Sequence, residues 1–367
     1  MKYLIGRISV MLLALLLALT PATVFASSGS FLGPLSKNSI LSSTVPANGD
    51  INPYGMAVVQ HTSGALVKGD ILISNFNASS NLQGTGTTIV KVSPGGSLKL
   101  FAKLDAAKLP GTCPGGVGLT TALVVLQSGW VIVGSLPTTD GTSATAQAGC
   151  LIVLDNMGKA VETISGPMIN GPWDMTAVEK NDSAVLFVTN VLNGTVAASP
   201  HRVNQGNVVR ITLSLKEKHA PRVKSMTVIA SGLGEKTDPA ALVIGPTGVG
   251  LGDNGTLYIA DTLENRVAAV PNALSRDTSA GTGKTIFSGM PLNSPLGLII
   301  APTGDILVVN GGDGNLVELS RGGKLVTVKK VDRTGAGAGT LFGLALSRDE
   351  KGVYYVNDGD NTINFLH

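Results

Sequence analysis

The sequence predicts an all-β chain closed into a ring of six four-stranded blades, a six-bladed β-propeller, and three observations carry that prediction. Gly and Pro are abundant, 47 and 18 of 367 residues, while only 14% of residues are charged. That balance favours short strands joined by turns over charged helical heptads or a disordered chain. A short apolar run ending in a polar residue recurs six times: 71–75 (ILISN), 131–135 (VIVGS), 186–190 (LFVTN), 257–261 (LYIAD), 306–310 (ILVVN) and 353–357 (VYYVN). Each copy follows another apolar segment that opens near Gly or Pro, at positions 53, 114, 172, 246, 295 and 341.

Taken in chain order, the first element is a leader. Lys2 and Arg7 precede an apolar run over 8–19, then Pro21 and the small-residue site Val24-Phe25-Ala26. This is the pattern of a secretory signal peptide over 1–26, and its apolar run falls short of the roughly 20 residues that span a bilayer. The expected mature chain, 27–367, is one exported propeller domain, periplasmic or extracellular, with no membrane span. Losing Lys2 and Arg7 leaves 25 basic against 24 acidic residues. Such a balance, without clustered Lys and Arg, argues against a nucleic-acid partner.

An apolar stretch at about 40–45 precedes the first unit, whereas the last unit ends at His367 just after its third strand. We expect the N-terminal stretch to supply the missing strand of the last blade. From about residue 50 each unit reads as a turn and a first strand, the ILISN-like second strand, and a third strand such as 88–93 (TIVKVS), 150–154 (CLIVL) or 315–319 (NLVEL). Gly pairs such as Gly95-Gly96 and Gly322-Gly323 then turn the chain into a fourth strand, at 98–104 or 324–331. A closed ring of such units leaves few exposed sheet edges.

In the fourth unit, Leu257-Tyr258-Ile259-Ala260-Asp261 followed by Asn265-Arg266-Val267 resembles the NHL-repeat signature, in which a strand ending in Ala-Asp leads through a short turn to Asn-Arg-Val. Units five and six keep looser forms, and the first three depart through insertions. The resemblance to NHL and neighbouring gluconolactonase-like propellers implies six blades and a ligand face at one end of the central channel.

Three long connections, 75–86, 135–149 and 190–206, place that face on the loops of units one to three. The polar residues ending the second strands, Asn75, Ser135, Asn190, Asp261, Asn310 and Asn357, form a candidate oxygen ring suited to a hard cation, with calcium the candidate. The competing reading is that these residues cap turns, and Asp313, Asp358 and Asp360 are read as turn residues in the same way. Asn77, Trp173 and Asp174 complete the candidate ligand residues, Trp173 as a stacking surface. The gluconolactonase-like resemblance implies carboxylates at the starts of the innermost strands, and Asp174 is the one there. His61, His201, His219 and His367 are scattered and suggest neither a zinc site nor a Ser-His-Asp triad.

The expected function is therefore an exported monomer that binds a small molecule, glycan or protein on its loop-rich face without catalysis. The alternative is a metal-assisted lactonase or related hydrolase using Asp174 and the strand-end amides. Cys113 and Cys150, the only two cysteines, are expected to pair in an oxidising compartment.

Overall fold

The computed structural model describes residues 29–216, 219–332 and 340–367, so the expected leader at 1–26 lies outside the described residues. Blade 1 comprises Ile51–Val58, Ile71–Asn77, Thr88–Val92 and Leu98–Lys103 (β2 to β5), after an N-terminal strand β1, Asn38–Ser43. Blade 2 comprises Leu119–Val125, Val131–Ser135, Cys150–Leu154 and Ala160–Ile164 (β6 to β9). Blade 3 comprises Pro172–Lys180, Ser183–Asn190, Val203–Ser214 and Arg222–Asp238 (β10 to β13), with a short fifth strand, Leu242–Ile244 (β14). Blades 4 and 5 follow as Pro246–Leu251, Leu257–Asp261, Arg266–Val270 and Lys284–Ser288 (β15 to β18), then Pro295–Ile300, Ile306–Asn310, Asn315–Leu319 and Leu325–Lys330 (β19 to β22). Leu341–Leu346, Val353–Asn357 and Thr362–Leu366 (β23 to β25) form blade 6 with β1 at its outer edge, in the order β1-β25-β24-β23. No helix among the described residues is long and apolar enough to cross a membrane.

Blades stacked face to face bury both sides of their middle strands, which is why the second strands read as unbroken apolar runs instead of alternating ones. In β7, β16, β20 and β24 every residue is buried, whereas the outer strand β22 alternates toward solvent. Closure is as expected in kind and two residues earlier in place. β1 pairs antiparallel with β25 from Asn38 opposite Leu366 to Ser43 opposite Thr362. The ladder stops before Pro46, which has no N–H to donate, and the chain turns there with Gly49 N–H donating to the Pro46 carbonyl. Upstream of β1, Leu32 and Leu35 pack among Leu307, Val309 and Leu316 of blade 5. The buried Glu318 carboxylate accepts the N–H groups of Phe31 and Leu32 at 2.6 and 3.0 Å and the Ser30 hydroxyl at 2.5 Å.

The recurrent Pro-x-Gly at the first-strand starts has a packing cause. A Cβ on Gly55 would lie 2.6 Å from the Thr121 carbonyl oxygen, one on Gly248 2.2 Å from that of Leu296, one on Gly297 2.1 Å from that of Phe342, and one on Gly343 2.3 Å from that of Tyr54. These glycines let neighbouring inner strands converge around the channel. In blade 2 the equivalent start is Leu119, opposite Ser135, just as Pro53 lies opposite Asn75 and Pro172 opposite Asn190. The expected start at residue 114 is thereby corrected: Pro114-Gly115-Gly116 belongs to the preceding loop.

That loop carries the expected disulfide. Cys113 and Cys150 are bonded with Cα atoms 5.3 Å apart. Cys150 opens a third strand, and a strand two places from the first lies about 10 Å from it in a flat sheet, so the bridge forms only because the loop bends back. The bond closes a segment of sequence separation 37, for which the chain-entropy estimate is about 4 kcal/mol at most. Replacing both cysteines with serine is expected to lower the melting temperature by several degrees, up to about 10 °C, with the blades intact by circular dichroism. An unchanged melting curve would show that the loop is held without the bond.

Candidate functional site

In five of the six blades the residue after the Pro, or after Leu341 in blade 6, stands at the channel mouth. Tyr54, Trp173, Thr247, Leu296 and Phe342 all line one cavity of 420 Å³ at the end where the first strands start. Tyr54 stacks on Phe342 with centroids 3.9 Å apart and on Phe76 at 4.5 Å, and Trp173 lies tilted 5.8 Å from Tyr54. This aromatic layer is the cavity floor. The roof is the hairpin between β13 and β14, which contributes Asp238, Ala240, Ala241 and Val243. The hairpin is tied across the mouth by Gln83 Nε2 donating to the Ala240 carbonyl at 3.0 Å.

One wall is polar. Asn52 adopts φ of 64°, a left-handed conformation that Asn tolerates better than most residues, and its N–H donates to the Asn361 side-chain oxygen at 2.7 Å. With its amide oriented by its hydrogen-bond partners, Asn52 donates to the Asp358 carboxylate at 2.8 Å and accepts from Asn77 Nδ2 at 3.1 Å. Asn77 Nδ2 also donates to Asn81 Oδ1 at 2.8 Å, while Asn77 Oδ1 is buried without a partner. Burial pushes the Asp358 carboxyl up to about 7. Burial and the nearby Asp358 charge push the Tyr54 phenol well above 10, against a smaller lowering from Asn52, so Tyr54 stays a neutral donor.

Asp174 is adjacent to Trp173 in sequence but opens on a different space, a 430 Å³ cavity in the channel on the far side of the floor. It occupies the position that is Gly in blades 1, 4, 5 and 6. There its carboxyl accepts the N–H groups of Met175 and Val249, yet burial outweighs them and raises it to about 7.

Of the other residues singled out from the sequence, Asn77 and Trp173 line the mouth cavity. The rest of the strand-end set faces turns. Asn75 Nδ2 donates to the Thr44 carbonyl at 3.1 Å, and Asn190 Oδ1 accepts the Asn170 N–H at 3.0 Å. Asp261 is ion-paired with Arg266 at 2.8 Å, Asn310 Nδ2 donates to the Pro291 carbonyl at 2.6 Å, and Asn357 Oδ1 accepts the Gly359 N–H at 2.9 Å. Among the described residues no group of three or more His, Cys, Asp or Glu could hold a metal ion. The long connections also contribute unequally. The first supplies Asn81 and Gln83 to the cavity, while 135–149 and 190–206 supply no lining residue. Asp358, read from sequence as a turn residue, is the carboxylate of the polar wall. Asn52 and the roof hairpin are not marked by any of the recurring sequence motifs.

No protein-family model matches the chain, and no curated protein does. Solved structures do match, as six-bladed propellers over nearly the full length. A gluconolactonase from Xanthomonas campestris is 13% identical, with 91% of this chain and 90% of that chain covered and a TM-score of 0.58. Regucalcin from Agrobacterium tumefaciens, described as a calcium-binding protein, is 11% identical over 90% and 93%, with a TM-score of 0.55. A luciferin-regenerating enzyme is 11% identical over 90% and 95%, with a TM-score of 0.55. At such identities the likeness establishes the fold. Two of the three, the gluconolactonase and the luciferin-regenerating enzyme, are enzymes by name, and this tells against the expectation of a propeller without catalysis.

Proposed function

We propose that the protein is a hydrolase of the lactonase type acting at the channel-mouth cavity, with Asp358 as its proton-accepting carboxylate. The observation that supports it most directly is the grouping of Asp358, Asn52, Asn77 and the neutral Tyr54 phenol on the wall and floor of one enclosed space. In the reaction, water attacks the ester carbonyl carbon while its proton passes to an Asp358 oxygen. The ring C–O bond then breaks and the departing alkoxide takes that proton back, giving the hydroxy acid. A carboxyl poised near neutral pH suits both transfers. The Tyr54 hydroxyl, held neutral by burial, supplies a donor for the carbonyl oxygen as it gains charge.

The same wall fits a hard divalent cation such as calcium. One carboxylate, the amide oxygen of Asn52 after a half-turn of its side chain, and the unpartnered Asn77 Oδ1 are all oxygen donors. When bound, such an ion would polarise the ester carbonyl. Asp358 has two oxygens, so ligation by one leaves the other for the proton. The Cys113–Cys150 bond and the leader pattern support export to the periplasm or the extracellular space.

Acid release from lactones by the purified protein tests the proposal. Asp358→Asn should abolish it, whereas Asp174→Asn, on the far side of the floor, should leave most of it. No hydrolysis of any lactone, or activity that depends on Asp174 and not on Asp358, would overturn the assignment.

A further inference from the structure

We propose that the substrate of this cavity is an uncharged cyclic ester carrying an aromatic or alkyl substituent, not a polyhydroxylated or anionic lactone. The proposal rests on the hydrolase reading and adds the substrate class to it.

The lining carries three independent indications. First, the described residues of the lining include no Lys, Arg or His, while Asp238 and Asp358 both face the space. Among these residues an anionic ligand finds no cationic partner and two acidic side chains. Second, the surfaces above and below a bound ligand are apolar: Trp173, Phe342 and Leu296 below, Ala241, Val243 and Ile244 above. Third, the hydroxyl groups on the blade 4 side are already committed. Thr262 Oγ1 donates to the Pro295 carbonyl at 2.6 Å, and Thr247 and Thr262 share a hydrogen bond at 2.8 Å. Ser294 is left as the further hydroxyl of the lining on that side.

At the other end the Asp358 carboxylate and the Tyr54 hydroxyl stand together beside Asn52 and Asn77. The ester group belongs at that end and the apolar substituent over the aromatic floor. Hydroxyl groups spread around a sugar ring would leave water for surfaces that cannot replace its hydrogen bonds. A volume of 420 Å³ lies within the range of small-molecule sites, with room for a ring and a side chain. Ala241 stands where a larger residue would fill the space assigned to the substituent.

The test uses Trp173 fluorescence in a Trp130→Phe background, which leaves one indole in the chain. The probes are a pentyl-substituted δ-lactone, its carboxylated counterpart and glucono-δ-lactone, with acid release measured in parallel. Calorimetry on the unsubstituted protein gives the same ranking without the Trp130 change. We expect the pentyl lactone to bind at least about tenfold more tightly than either other probe, and Ala241→Phe to weaken it by at least about tenfold without lowering the melting temperature. Equal or tighter binding of glucono-δ-lactone or the carboxylated lactone, no binding of any probe, or indifference to Ala241→Phe would overturn the substrate class. Saturable binding of the pentyl lactone without acid release would uphold the class and remove the hydrolase reading. Asp358-dependent hydrolysis of glucono-δ-lactone alone would do the reverse.

Discussion

Lactone hydrolysis will rise as the pH is raised through about 7 and level off above it, and Asp358→Asn will reduce it by about 100-fold to 10,000-fold across that range. The direction follows from the site. Asp358 must be ionised to accept the proton of the attacking water, and burial holds its carboxyl up at about 7, so the active form accumulates only as pH climbs past that value. Stability moves the other way. A carboxyl that titrates near 7 when folded and near 4 when unfolded keeps a proton in the native state that the unfolded chain has lost, so folding weakens as pH rises between those values. Asp174 and Glu235, also raised to about 7 by burial, act in the same direction, so Asp358→Asn removes only part of that slope. A bound cation would shift the rate limb to lower pH. Initial rates and melting curves from pH 5 to 8 measure both effects, and a flat rate profile would eliminate Asp358 as the base.

The second large effect concerns closure. Deleting residues 29–43 is expected to give aggregated protein, or to lower the melting temperature by more than about 10 °C. The cut removes the outer strand of blade 6 and leaves β25 as an open edge. It also strips Leu32, fully buried, from the side of blade 5, and truncation of a buried Leu alone costs about 2–5 kcal/mol. Finally, it leaves Glu318 without the donors contributed by Ser30, Phe31 and Leu32. Against a typical stability of about 5–15 kcal/mol, these losses together take much of the margin. If the deletion prevents expression, Leu32→Ala and Glu318→Ala provide graded versions. Unchanged melting in the deletion and in both point variants would refute the role of the strap.

The blades were legible in the sequence because face-to-face burial of a middle strand leaves a recurring, uninterrupted apolar run that ends where the strand meets the channel mouth. Closure was legible as well, from a spare strand at one end of the chain and a missing one at the other. The start of blade 2 was misread because the disulfide loop carries its own Pro-Gly-Gly, the same local signal as a true start, while Leu119 carries none. The site was harder to read. Asp313, Asp358 and Asp360 each follow or approach a strand end and each looks like a turn cap, and Asp313 does accept the Asn315 N–H. Asp358 differs only because ring closure brings Asn52, some three hundred residues earlier, against it. Asp174 was conspicuous as the one carboxylate at a strand start. It stands where other blades place glycine, and two backbone N–H groups account for its position. The strand-end amides had two readings in the sequence, ligand ring and turn cap, and Asn190 and Asn357 accept N–H groups from neighbouring turns.

The pairing of β1 with β25 also sets an order of events during synthesis. Asn38 leaves the ribosome long before its partner, Leu366, about 330 residues later in the sequence. At about 5–20 residues per second, the earliest strand waits roughly 20–60 s for the sheet it belongs to, while five blades accumulate without a closed ring. Ring closure therefore waits for its most distant contact, and is gated by synthesis of β25. Nascent chains stalled before β25 should stay open to protease at 29–43, and become protected there only when the final strand is released.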